Sequence, residues 1–220
     1  MKRTALSQRT LPHYTRGEEC MHTVTHIAGA LMGAAALVLC ARRAADRYSL
    51  FGALIYGISL IAVFTISSIY HGMKPCYGKK VMQVVDHCTI YGLIAGTYTA
   101  IVLSALRPVY PALAWGLFGF EWALAALAIT LTAMDLKKYS TFSMICYIGM
   151  GWAILPFWHP VLDVLTLPGF LLLLFGGIAY TVGSILYGLG KKVKWMHGIF
   201  HIFVNLGALL QFYAVLLYAL

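Results

Sequence analysis

Seven apolar stretches, each long enough to cross a bilayer as a helix, take up most of this chain: 22–41, 49–71, 84–106, 110–134, 140–157, 166–189 and 196–220. A hydrocarbon core of about 30 Å needs roughly 20 apolar residues per helix, and backbone groups in lipid must bond within their own segment or close into a barrel. Unbroken runs of this length are helices. The expected fold is therefore an all-α integral membrane protein, a seven-transmembrane-helix bundle spanning 22–220 behind a tail at 1–21. Only 10% of the 220 residues are charged and 61% are hydrophobic, whereas an average soluble domain is about a quarter charged. A water-soluble fold is excluded.

The first apolar run begins near Val24, ends at Cys40 and is followed by Arg42 and Arg43 without a small-residue cleavage pattern, so it reads as a retained span. Leu39 stands where a lipoprotein signal would want a small residue. Five scattered cysteines (Cys20, Cys40, Cys76, Cys88 and Cys146) read as packing thiols. Glycines at Gly29, Gly33, Gly116, Gly119, Gly149, Gly151, Gly176, Gly177 and Gly183 suit close helix approach.

The net charge of +9 builds no basic face for nucleic acid, because the 16 Lys and Arg fall in small groups between the apolar runs. Twelve lie on one side: Lys2, Arg3, Arg9 and Arg16 in the tail, then Lys74, Lys79, Lys80, Lys137, Lys138, Lys191, Lys192 and Lys194. The other side has only Arg42, Arg43, Arg47 and Arg107. The positive-inside rule then puts the N-terminus in the cytoplasm and the C-terminus outside, in a multi-pass membrane protein.

That orientation gathers the ionisable residues of the spans at one depth. His71 closes the second span, Asp86 and His87 open the third, and His197 and His201 open the seventh, all toward the cytoplasm; Glu18, Glu19, His22 and His26 share this layer. Ionisable groups inside a membrane are expensive and mark functional sites by default. His197 and His201, four residues apart, project from one helix face and can share a cation; His71 is the expected third ligand of a zinc site with one open position. By itself such a pair is weak evidence, since two helix-end histidines can be merely polar. His22 and His26 repeat the spacing and compete for ligand duty, or else form a polar stripe packed against the other spans.

Asp86 is placed to deprotonate a zinc-activated water, or alternatively to favour a helix N-terminus as a first-turn acid. Ser67, one turn before His71, can bond a ligand or that water, or satisfy its own backbone. His87 reads as supporting or structural. Glu121, in the middle of the fourth span and far in depth from the rest, reads as a neutral, hydrogen-bonded carboxyl without a role. His159 lies on the opposite side and His13 in the tail.

Four stretches carry a family resemblance: GEECMHTVTHIAG from Gly17, SSIYH from Ser67, VDHCTIYGLIAGTYT from Val85 and HGIFHIFVNLGALLQFYAVLLY from His197. With YIGMGW from Tyr147, the chain from Tyr14 to Leu220 resembles the bacterial hemolysin III proteins, relatives of the progestin and adipoQ receptors and, more distantly, of the alkaline ceramidases. The resemblance implies a seven-helix bundle with a cytoplasmic N-terminus. It also implies zinc on His71, His197 and His201, with Asp86 and Ser67 at a zinc-bound water. Three positions depart from the pattern: His22 stands where relatives often carry Asn, Ala100 where Pro is usual after GTYT, and Gln211 where His is common.

Three functions follow. The first is a zinc-dependent hydrolase acting on a lipid amide or ester, in service of membrane lipid homeostasis, with a membrane lipid or fatty-acyl ligand in the bundle. The second is a non-catalytic sensor in which zinc is structural. The third, a membrane-damaging hemolysin, ranks last because long, mostly apolar helices lack the amphipathic character of a protein that moves from water into lipid.

Overall fold

The computed structural model describes residues 4–190 and 193–220; Lys2, Arg3, Lys191 and Lys192 of the charge count lie outside the described residues. Among these, the chain is helical throughout, with no strand. Helix α1 covers Arg16–Arg43, α2 Arg47–Gly72, α3 Tyr77–Ile101 with a π-helical extension Val102–Leu106, and α4 Pro111–Met134. Then come α5 at Ser140–Trp152, α6 at Trp158–Leu189, and α7 at Met196–Ala214 with a π-helical end at Val215–Ala219.

The starts of these helices are written in the local sequence. Thr15 accepts from the backbone N–H of Glu18 while the Glu18 carboxylate accepts from that of Thr15, a reciprocal capping box that satisfies two orphan donors of α1. Asp46 and Ser49 do the same for α2. Cys76 caps α3 through its sulfur, and Pro111 opens α4, where its missing N–H costs nothing. The cap at Thr15 starts α1 six residues before the apolar run at 22, so Glu18 and Glu19 are helical rather than part of a tail.

Helix α3 is the most buried of the spans and packs against α2, α4 and α5. The closest pairings are α1 with α2 and α6 with α7, and α7 returns to α1. Tyr56, Leu60 and Phe64 of α2 meet Ala36 and Cys40 of α1 and Leu103 and Leu106 beyond α3 in one core; Tyr91, Ala125 and Met150 anchor a second that ties α4 and α5 to α3. Leu31, Ile145 and Ile185 instead present most of their surface outward (61–69% exposed), which suits lipid and not water.

Six helical stretches among the described residues are long and apolar enough to cross a membrane, the fifth being Ser140–Leu189 taken as one. Inside that stretch α5 has 13 residues, and α6 is broken at Thr166, whose φ of 59° and ψ of 169° lie outside the helical range two residues before Pro168. The irregular backbone falls at the two ends of the connection expected between 157 and 166, a single 3-10 turn at Leu155–Phe157 with Pro156 and a sharp break at Thr166, while the residues between them are helical.

The glycine reading divides. A Cβ on Gly29 would stand 2.5 Å from the Phe64 ring, on Gly33 2.9 Å from the backbone N of Ile61, and on Gly176 2.8 Å from Gln211. Around Gly116, Gly119, Gly149 and Gly151 nothing lies within 4 Å, so these four serve no close approach. The thiol reading divides too. Cys40 and Cys146 are buried, Cys88 is half-buried, and Cys20 and Cys76 are exposed; all five are free.

Candidate metal centre

Four histidines from three helices meet at one end of the bundle. His22 lies two turns into α1, His71 in the last turn of α2, and His197 and His201 in the first two turns of α7; all are buried, between 0% and 8% exposed. Ligand nitrogens of His22, His71 and His197 all lie within 4.8 Å of one another. Nε2 of His201 is 3.1 Å from Nε2 of His197, and Nδ1 of His22 is 3.3 Å from Nδ1 of His71. The rings of His71, His197 and His201 lie together, with ring centres 5.3 and 5.1 Å from His71 to His197 and His201, while the trio whose ligand nitrogens all lie within 4.8 Å has His22 in place of His201.

These distances fit a cation. Two nitrogens bound to one tetrahedral zinc at 2.0–2.1 Å stand about 3.3 Å apart, near the His197–His201 separation; the Nδ1 of His71 that meets His22 is the nitrogen that Glu19 holds at 2.7 Å. Nε2 of His22 and Nδ1 of His201 are buried without a hydrogen-bond partner, an arrangement rare in native interiors. Three buried histidines close enough to share an ion, with a fourth in contact, form a site of metal-binding composition.

One carboxylate braces the cluster. Glu19 Oε2 lies 2.7 Å from Nδ1 of His71, and its other oxygen accepts from the ammonium of Lys79 at 2.6 Å. That ammonium is buried, also donates to the Met73 carbonyl at 2.9 Å, and lies 5.3 Å from the centre of the Tyr70 ring. The sequence reading missed both residues as site members: Glu19 passed for a layer-mate, and Lys79 was counted only as a topological charge. A Glu three residues before His22, on the same face of α1, was the signal available.

Tyr14 covers the cluster from the tail side. Its ring is stacked 5.1 Å from that of His197 and stands edge-on 4.9 Å from that of His22. Burial, with Tyr187, Glu18, Glu19 and Asp86 nearby, pushes its phenol well above its ordinary range. The segment leading to Tyr14 is tied down by Arg9, which pairs with Asp135 at 3.7 Å and donates to the Met134 carbonyl, and by Lys80, whose ammonium donates to the Ser7 carbonyl at 2.6 Å. Asp135 also accepts from the backbone N–H of Thr4 at 2.8 Å, which together with the N–H groups of Lys137 and Lys138 holds its carboxyl below the usual range. Glu18 accepts from the backbone N–H of Trp195 at 2.9 Å, tying α1 to the approach to α7.

Asp86 falls in the third turn of α3 because that helix begins at Tyr77; Cys76, not Asp86, is the cap, and the first-turn reading of Asp86 falls away. Its half-buried carboxyl lies beside the Ser67 side chain and borders Tyr14, Tyr70 and Tyr187. Ser68, not Ser67, bonds back to its own helix, at the Phe64 carbonyl. His26 stacks on His201 with ring centres 3.8 Å apart, and neither of its nitrogens has a partner. His87 is engaged by the Gln83 carbonyl and Tyr187, outside the cluster. Glu121 is fully buried in α4 with no hydrogen-bond partner at either oxygen, in contrast to the bonded carboxyl expected. His159 packs on Trp158, away from the site, and His13 is exposed in the tail.

Known proteins resemble the chain along most of its length. The family profile described as "Haemolysin-III related" matches residues 14–212. "Hemolysin-3" of Bacillus cereus is 35% identical over 206 residues, 92% of each chain. "Hemolysin-3 homolog" of Bacillus subtilis (strain 168) is 33% identical over 208 residues, 93% of this chain and 96% of the relative. The human "Monocyte to macrophage differentiation factor" is 27% identical over 213 residues, 92% of this chain and 83% of its own. No solved structure matches the chain.

Proposed function

The chain belongs to the haemolysin-III related family and is a multi-pass protein that fits the bacterial cytoplasmic membrane, and from that premise we propose that it is a zinc-dependent hydrolase of a membrane-lipid amide or ester bond, contributing to lipid homeostasis. The observation that carries the reading is the meeting of His71 with the His197–His201 pair, with Asp86 and its Ser67 partner on the helices beside them.

The proposed topology is seven crossings with the N-terminus in the cytoplasm and the C-terminus outside. The Ser140–Leu189 stretch of 50 residues is about 75 Å long as straight helix, enough for two crossings of about 30 Å. The breaks at Pro156 and Thr166 supply the turning region. The cluster then lies near the cytoplasmic face, on the side of the twelve Lys and Arg.

Each residue has a distinct task in this reading. The histidines hold the ion, which when bound supplies Lewis acidity toward a carbonyl oxygen and a water molecule. Asp86 takes the proton of the attacking water at its carboxylate and returns it to the leaving group. Ser67 orients that carboxylate, and Glu19 orients His71. Tyr14 and Tyr187 keep bulk water from the centre.

The test is fatty-acid release from vesicles of membrane lipids carrying amide- or ester-linked chains, with the purified protein and an Asp86→Asn variant. The variant should retain its zinc and lose rate by about 10²–10⁴-fold, the usual scale of a general base. A second reading, a zinc-containing sensor without turnover, has one observation in its favour: His22 is completely buried against His71, where a catalytic centre would keep room for water. Stoichiometric zinc with no release from any lipid selects it. The lysis named in the bacterial relatives is not proposed for this chain, whose apolar residues lie all around long helices.

A further inference from the structure

We infer that Glu18 is a shared cap of α1 and α7, a positioning residue that sets the register of α7 along α1 and so brings His197 to the metal centre. The inference rests on the zinc reading above and adds to it a residue outside the histidine cluster.

One carboxylate serves two helix starts. Glu18 Oε2 accepts from the backbone N–H of Thr15 at 2.9 Å and from its hydroxyl at 2.8 Å, while Oε1 accepts from the backbone N–H of Trp195 at 2.9 Å. Thr15 is the N-cap of α1 and Trp195 the N-cap of α7. A glutamate in the first turn of a helix can reach back to its own N-cap; Glu18 does so for a second helix as well, 177 residues away. Helix α7 has no side-chain cap of its own. Glu18 therefore supplies, from α1, the acceptor and the negative charge that a helix N-terminus favours.

The residue that receives this bond is strained. Trp195 has a φ of 68° and a ψ of −15°, in the left-handed region, and shares a positive φ only with Thr166 among the described residues. Such a backbone is costly for a bulky side chain and persists where the surroundings enforce it. Two contacts do so here: the N–H bond to Glu18, and the indole lying over Gly17, where a Cβ would stand 3.2 Å from the ring. Two residues later comes His197, one of the three whose ligand nitrogens lie within 4.8 Å of one another. Tyr14, next to the Thr15 that the same carboxylate holds, stacks on the His197 ring at 5.1 Å. Glu18 thus fixes the chain on both sides of that imidazole.

The pairing continues down the seam at a near-constant offset. Gly198 faces Met21, with a Cβ on the glycine 2.7 Å from Sδ, and Asn205 donates to the Thr25 carbonyl at 3.2 Å. The two helices run parallel, and Glu18 with Trp195 is the first rung. A slip of one residue would move His197 about 1.5 Å along the axis and turn it about 100° away from its neighbours.

Zinc affinity of the purified full chain, by competition with a chromophoric chelator, and the visible spectrum of the cobalt-loaded protein decide the question. Glu18→Ala should weaken zinc binding by about 10–100-fold, the usual scale for outer partners of a metal site, and alter the cobalt bands. Two controls should keep wild-type affinity and bands. Thr15→Ala spares the Glu18–Trp195 bond, and Trp195→Gly keeps the N–H while taking the left-handed backbone without strain. Unchanged affinity and bands in Glu18→Ala, or an equal loss in either control, would overturn the inference and leave the zinc reading standing. A folded wild type that binds neither metal would overturn both. Should Glu18→Ala not fold, Glu18→Gln decides: its single oxygen cannot serve Thr15 and Trp195 at once, so a loss in the same direction is expected, and unchanged affinity overturns the inference.

Discussion

Glu19 and His71, 52 residues apart in the chain, meet through a 2.7 Å contact between Oε2 and Nδ1. A carboxylate on the ring of a metal-binding histidine fixes its orientation and strengthens it as a ligand, and loss of such a partner typically weakens metal binding by about 10–100-fold. Glu19→Gln should do so, measured by competition with a chromophoric zinc chelator. The same change leaves the buried Lys79 ammonium without its anion, so Glu19→Gln plus Lys79→Met should recover thermal stability without recovering zinc affinity.

Tyr14 shields the histidines from the aqueous side, and its stacking on His197 is lost on truncation. Tyr14→Ala should therefore release zinc to EDTA several times faster than the wild type while leaving the bound amount unchanged before chelation. A stopped-flow trace with equal rates would show that the tail is no cover.

The tail is held partly by Asp135, whose carboxyl is depressed by the N–H groups of Thr4, Lys138 and Lys137 and by Arg9. A depressed carboxyl contributes stability that is fully present above its unfolded pKa, near 3.9, and is lost as the pH falls through the lower folded value. Protease sensitivity of the tail should therefore rise only below about pH 4 in the wild type, and Asp135→Asn should show it at neutral pH.

Close packing is confined to some glycines. Gly57 would place a Cβ 2.5 Å from the Leu37 backbone, and Gly29 one equally close to Phe64. Gly57→Ala and Gly29→Ala should each cost about 1–3 kcal/mol as overpacking, seen as a lowered melting temperature in detergent. Gly116→Ala and Gly119→Ala, with open space around them, should not.

Much of the centre was legible because helical spacing and depth are both readable in a membrane chain. His197 and His201 share a face by their four-residue separation, and the alternation of spans brings His71 to their level. What the sequence concealed has physical causes. The α3 start at Tyr77 depends on a sulfur cap at Cys76, which hydropathy does not register, and so a helix-terminal role for Asp86 stands open in the sequence beside the catalytic one. The Thr166 break is a single backbone torsion within an apolar run. Lys79 carries the same charge whether it marks topology or neutralises Glu19; only packing separates the two. His22 was seen as a competitor for ligand duty, and its share in the cluster needed the approach of α1 to α2 through Gly29 and Gly33.

The most direct test is the zinc content of the purified protein in detergent, by elemental mass spectrometry, for the wild type and for His197→Ala plus His201→Ala. The account predicts one zinc per chain in the wild type and none in the variant. A folded wild type without zinc, or a variant that keeps its full complement, would contradict it.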